Sequence, residues 1–172
     1  MDTTVIIERA TRAIKADATV FSEIGADESH TSSAAAVVGV VGFVGGLING
    51  IFNANSSPVT GAFGGLIGAF IAWGIGSLVF YGLAKMFGGE GDLQGLMRGN
   101  AYAAVPSALG GIPVLGWVIS LWGVYLFILN VRENMKLSTG AAAAVVLIPV
   151  VIAIALVLLI VLVLVAAIAG SS

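Results

Sequence analysis

At 172 residues the chain has room for one domain, and with 59% of its residues hydrophobic and 9% charged it lies far from soluble proportions. Nine acidic residues against seven basic ones, a net charge of −2, offer neither the basic footprint of a nucleic-acid binder nor a strongly acidic tail, so nucleic acid is not an expected partner. The absence of cysteine removes disulfides, thiolate nucleophiles, palmitoylation and lipoprotein anchoring, and the first partner to expect is the lipid bilayer.

Residues 5 to 24 place Ile6, Ala10, Ala13, Ile14, Val20, Phe21 and Ile24 at the spacing of one helical face, with Glu8, Arg9, Arg12 and Lys15 opposite. This predicts one amphipathic helix, too charged to cross a bilayer, lying on its surface or against the membrane domain. Asp17 falls among the apolar positions. "GADESHTSS", residues 25 to 33, reads as a short linker, so residues 1–33 form a cytoplasmic segment ahead of a transmembrane domain at 34–172. The segment lacks the short basic start of a signal peptide, and the mature chain is expected to keep its N-terminus.

Apolar spans follow at about 34–53 and 59–86, separated by "NANSSP", and the last run, 139–169, has an uncharged stretch from Ala141 onward. The uncharged stretch would be roughly 43 Å long as a helix, against about 30 Å of hydrocarbon, with Pro149 as the natural bend. Between these runs, Pro106, Gly110, Gly111 and Pro113 punctuate the chain too densely for one helix from 101 to 131. A turn at "GGIP" divides this region into spans at 92–110 and 113–131. Every Lys and Arg then falls on one side of the membrane, as the positive-inside rule prefers. The expected architecture is an all-α bundle of five transmembrane helices behind an amphipathic cytoplasmic helix, N-terminus inside and C-terminus outside.

Gly42, Gly46 and Gly50 recur every fourth residue in the first span, and Gly64, Gly68, Ala72 and Gly76 in the second, a small-residue pattern that lets helices pack closely. Packing the first two spans together is the first use to expect; homo-oligomerisation through the same faces is the other. For enzyme chemistry the spans hold no Asp, Glu or His beyond Asp92 at the start of the third, and the lone His30 sits in the linker without an assigned role, so no catalytic residue, metal or cofactor is expected. Ser77, Asn100, Ser107, Ser120 and Asn130 are the only polar groups of note for transport. The aromatic residues Trp73, Trp117, Trp122, Tyr81, Tyr102 and Tyr125 read as packing groups and interfacial anchors. Asn55, Ser56 and Ser57 form a glycosylation sequon in a loop close to the bilayer. Asp17, Glu23, Asp27 and Glu28 cluster just before the first span, either as a docking surface for a basic partner or as solvated residues with helix caps at Asp17 and Asp92.

The order "ADATVFSEI", two glycine-rich spans, "GGEGDLQGLMRGNAYAAVPSAL" and "IPVLGWVISLWGVYLFILNVRENMKLSTGAAAAVVL" resembles the Yip family of five-span membrane proteins, named for interaction with Ypt/Rab GTPases. Tyr102 and Pro106 match its tyrosine-to-proline signature, with Asn100 and Ala101 where a glycine often precedes the tyrosine. Gly116, Trp117, Leu129, Arg132 and Glu133 match the fourth span and its exit; Phe21, Glu23 and Ile24 match an N-terminal "FxEI" element. Without the long N-terminal region of eukaryotic members, the chain resembles a prokaryotic member. The expected function is a non-enzymatic scaffold or adaptor of the Yip type that recruits or organises a cytoplasmic or membrane protein, or shapes the bilayer, with Asp17, Phe21, Glu23, Arg98 and Arg132 as the expected partner-binding residues on the cytoplasmic face. The competing reading is a small oligomeric permease or channel that uses the broken third and fourth spans.

Overall fold

A computed structural model describes residues 2–53 and 56–170, and every regular element among them is helical. The helices are α1 (Thr3–Ile14), α2 (Ala18–Ala26), α3 (Thr31–Phe52), α4 (Pro58–Met86), α5 (Leu93–Ala103), α6 (Leu115–Met135) and α7 (Thr139–Gly170), with short 3-10 turns at Glu28–His30 and Val105–Leu109. The sequon residue Asn55 lies outside the described residues.

The single amphipathic helix expected over residues 5–24 is two helices. Ala16 takes a left-handed φ of 60°, and Asp17 starts α2 as its N-cap by accepting from the Thr19 N–H at 3.1 Å. That break resolves the position of Asp17, because α2 no longer continues the register of α1. It also folds the pair into a hairpin whose Ala13, Val20, Phe21 and Ile24 are fully buried against α3, α5 and α6. The expected linker at 25–33 is equally ordered, being shared among the end of α2, a 3-10 turn and the first turn of α3.

α3 and α4 form the closest helix pair. A Cβ added at Gly42 would lie 2.7 Å from the Gly65 carbonyl, one at Gly46 2.9 Å from the Gly65 Cα, and one at Gly50 2.8 Å from the Pro58 Cα. The opposing row is therefore Gly61 and Gly65, with Ala69 continuing it, and not Gly64 and Gly68, whose added Cβ atoms would meet nothing within 4 Å. The two rows are adjacent on the α4 surface, and four-residue spacing is identical in both; only the partner helix selects between them.

Four helical stretches, Glu28–Phe52, Pro58–Met86, Leu115–Met135 and Thr139–Ile168, are long and apolar enough to cross a membrane. The third expected span is absent from this group. It consists of α5, eleven residues of which eight are buried, and the five-residue 3-10 turn that follows. Pro106 ends the α-helical ladder by withholding an N–H, and the turn at Gly110–Val114 closes with Val114 at a φ of 66° before α6 begins. This segment packs against α2, α3, α4 and α6 at the centre of the bundle. Near one end Arg98 donates to Thr31 Oγ1 at 3.3 Å; at the other a Cβ on Gly111 would meet the Asn49 nitrogen at 2.9 Å. The segment thus runs the length of α3, from the end holding the α4–α5 and α6–α7 connections to the end holding the α3–α4 connection.

α6 continues to Met135, so Arg132 and Glu133 belong to its last turn and not to a loop, and Lys136 caps it in the left-handed region with a φ of 54°. α7 packs through Ala142, Val145 and Val146 on Ala84, Leu96, Val131 and Met135. After Pro149 every described side chain as far as Ile168 is exposed.

Candidate functional site: a charged end above an asparagine line

The charged end is organised by two arginines of α1. Arg12 donates from Nε to Asp17 Oδ2 at 2.8 Å and from Nη1 and Nη2 to the two Glu23 oxygens at 2.7 and 2.8 Å, a fork that clamps α1 to α2. The Arg12 hydrogen bonds hold the Glu23 carboxyl below its ordinary range; the Thr19 hydroxyl, followed by Arg12, does the same for Asp17. Arg9 reaches Asp27 Oδ2 at 2.9 Å. The Ser29 hydroxyl, Arg9 and His30, in that order, press Asp27 well below the usual carboxylate range. His30, given no role from the sequence, lies 2.6 Å from Asp27 through its Nδ1.

The five residues expected to meet a partner do not share one surface. Asp17 and Glu23 are partly exposed and engaged with Arg12, and Arg132 pairs with Glu133 at 2.6 Å. Phe21 is fully buried, and Arg98 is only 3% exposed. Arg98 bonds through Nη2 to the Gly25 carbonyl and through Nη1 to Thr31, so it ties the end of α2 and the start of α3 to α5. Its Nε, Arg9 Nη1 and the Tyr102 hydroxyl are buried without a hydrogen-bond partner among the described residues. Tyr102 is fully buried one turn beyond Arg98, and Pro106 sits in the 3-10 turn. A Cβ on Gly116 would run into the backbone of Gly110, which makes glycine necessary where α6 leaves the turn. Trp117, 81% exposed, faces outward.

Beneath the charged end a line of side-chain amides crosses the bundle. Asn134 Nδ2 donates to Asn130 Oδ1 at 2.7 Å, Asn130 Nδ2 to Asn100 Oδ1 at 2.8 Å, and Asn100 Nδ2 to Ser77 Oγ at 2.8 Å. Asn134 also donates to the Phe21 carbonyl and Asn130 to that of Leu96. Every step runs in the same direction, so each bond polarises the next. Gly99 leaves the room for Asn130, since a Cβ there would collide with its Oδ1. Sequence reasoning named Ser77, Asn100 and Asn130 separately and missed Asn134. Its separation of four residues from Asn130 on one helix is the signal that joins the two.

An all-helical bundle with apolar membrane-length helices and charges gathered at one end defines an integral membrane protein. The sequence profile of the Yip1 domain matches residues 17–170, from the cap of α2 to the end of α7, and the chain belongs to the Yip1 family. No curated protein and no solved structure matches the chain.

Proposed function

We propose that the protein crosses the bilayer five times, with its N-terminus in the cytoplasm and its C-terminus outside, and serves as a non-enzymatic scaffold whose charged face recruits a protein. The central observation is the docked α1–α2 hairpin. Residues 1–33 carry six acids against three Lys and Arg, and the hairpin that presents them is fixed to the bundle by buried apolar groups and by the Arg98 and Asn134 bonds. Such a rigid acidic platform suits a basic protein surface, with Asp17, Glu23 and Arg132 at the contact and Phe21 and Arg98 positioning them from beneath. Five crossings accord with the end-to-end course of α5 and its 3-10 turn, and with the absence of Lys and Arg from both 49–58 and 110–114. Because α5 is wrapped by other helices, it need not be long or apolar to cross.

Two experiments test this. A reporter fused to the C-terminus is expected outside, and a cytoplasmic signal removes the five-span topology. For recruitment, Arg12→Glu combined with Glu23→Arg, and with Asp17→Asn to remove the like-charge contact, keeps an internal ion pair while moving the negative charge from α2 to α1. Affinity purification with quantitative mass spectrometry is expected to lose a stoichiometric partner in the combined variant although the protein stays folded. Retention of the same partner would move the docking surface elsewhere.

A further inference from the structure

The amide line ends on Ser77, and there it leaves a donor unspent. Ser77 Oγ accepts from Asn100, yet its own hydroxyl proton has no acceptor in the described protein: unlike Ser120, which donates to the Gly116 carbonyl at 2.7 Å, it makes no bond back to its own helix. Ser77 is 1% exposed, so bulk water does not satisfy it. It lines a side cleft of about 220 Å³ walled by Val38, Ala72, Trp73, Asn100 and Phe127. The Trp73 indole N–H is already committed to the Met97 carbonyl at 2.7 Å, so that ring contributes an apolar wall.

Beside the α3–α4 contact the cleft continues into a second groove of about 280 Å³ bordered by Gly42, Gly46, Gly65 and Gly68, the two sharing Val41, Ala69, Ala72 and Ser107, whose hydroxyl is committed to the Ala104 carbonyl at 2.6 Å. From Ser77 to Gly65 the groove runs roughly 18 Å along α4, away from the charged end. At 29 residues, α4 is about 43 Å long and exceeds the hydrocarbon by about 13 Å, so an upright, centred placement leaves about half of that excess at each end. Ser77 lies nine residues before Met86, which puts its hydroxyl about 7 Å inside the hydrocarbon boundary. The polar end of the groove is thus shallow and its small-residue end deep.

We propose that this groove binds one uncharged acyl lipid of the diacylglycerol type, with an ester carbonyl accepting the Ser77 O–H and an acyl chain lying in the open groove beside the α3–α4 contact. The order of polarity along the groove matches such a molecule entering from the cytoplasmic leaflet. A charged headgroup is disfavoured, because seating the carbonyl on Ser77 would draw a phosphate below the interface. The ligand supplies the acceptor on which the Asn134–Asn130–Asn100–Ser77 relay terminates, so occupancy of the groove is linked to the bond that Asn134 makes to α2.

The test uses the full chain in phosphatidylcholine nanodiscs doped with dioleoylglycerol or, separately, with its ether-linked analogue, followed by native mass spectrometry of retained lipid. Wild type is expected to keep one dioleoylglycerol and to discriminate against the ether. Ser77→Ala should lower retention about fivefold, the worth of one hydrogen bond of about 1 kcal/mol. Ala72→Leu, at an exposed position on the wall shared by the cleft and the groove, should fill the cleft and abolish retention while the melting temperature holds. Equal retention in wild type and Ala72→Leu overturns the site, and equal retention of ester and ether overturns the role of Ser77. Preference for phosphatidylcholine overturns the uncharged headgroup. If Ala72→Leu does not fold, the Ser77→Ala comparison decides alone.

Discussion

α5 and α7 are opposites. α5 is eleven residues long, contains Arg98, Asn100 and two glycines, Gly95 and Gly99, and buries eight of its residues. α7 is 32 residues long and uncharged, and its most apolar window buries none of its residues within the protein. A bilayer requires that backbone and side-chain polar groups be satisfied, not that every residue be apolar. Beyond Pro149, α7 is exposed on all sides as far as Ile168 and answers with Val, Leu and Ile. α5 meets other helices on all sides and answers with close packing and hydrogen bonds. Apolarity of a helix in this protein therefore reports exposure to lipid, and hydropathy alone overlooks the segment on which the bundle is assembled.

The comparison breaks most decisively at Gly99. A Leu there makes α5 more apolar, which would favour it if hydropathy governed the segment. Its Cβ, however, would lie 2.7 Å from Asn130 Cγ and 2.9 Å from Asn134 Nδ2. Overpacking of a buried contact and loss of the amide line together are expected to remove the monodisperse folded species, read by size-exclusion chromatography in mild detergent. Asn130→Leu is the next largest effect. It spares the backbone but orphans Asn100 Oδ1 and leaves Asn134 Nδ2 with only the Phe21 carbonyl, and should lower unfolding stability by about 1–3 kcal/mol. An unchanged melting curve would mean that the amides find other partners, as polar groups in membrane bundles often do.

At Leu158 of α7, 64% exposed, the expectation reverses. Asn there removes no packing within the protein, so the melting temperature should stay within the effect of about 0.5 kcal/mol typical of surface changes. The new amide has no partner in lipid, and self-association of about 1–2 kcal/mol is expected as a cross-linkable dimer. A loss of stability without dimerisation would show that α7 packs on the bundle after all.

How much of this was legible follows the same division. Segments facing lipid announce themselves, and α3, α4 and α7 are readable from their apolar runs. The punctuation from Pro106 to Pro113 likewise exposes the turn before α6. What escapes is every feature that depends on a neighbour. Nothing in a repeat of four says whether Gly64 or Gly65 faces α3. Arg98 reads as a partner-binding cation until α2 covers it with the Gly25 carbonyl. Phe21 looks available to a partner until the break at Ala16 turns it inward. Asn100 and Asn130 are thirty positions apart and become one network only when α5 and α6 meet.

α1 lies outside the residues matched by the Yip1 domain, yet its two arginines hold the acids at the start of that domain, Asp17, Glu23 and Asp27. The smallest predicted effect tests this attachment. All three carboxyls are held below their ordinary values, so they are ionised and paired throughout the neutral range, and the stabilisation they lend is complete above about pH 5. It is lost only as pH falls from there through their depressed folded values. Trp122 reports on the hairpin directly, because its indole N–H donates to the Ile14 carbonyl at the end of α1 at 2.9 Å. With Trp73 and Trp117 replaced by Phe, Trp122 fluorescence should stay constant between pH 7 and pH 5 and shift below about pH 4 as α1 loosens. Arg12→Gln should produce that shifted signal already at neutral pH, since neutral Gln abolishes the fork to both acids. A signal indifferent to both acid and Arg12→Gln would mean that Ile6, Ala10 and Ala13 hold α1 in place by burial alone, and that the ion pairs serve only to shape the charged surface.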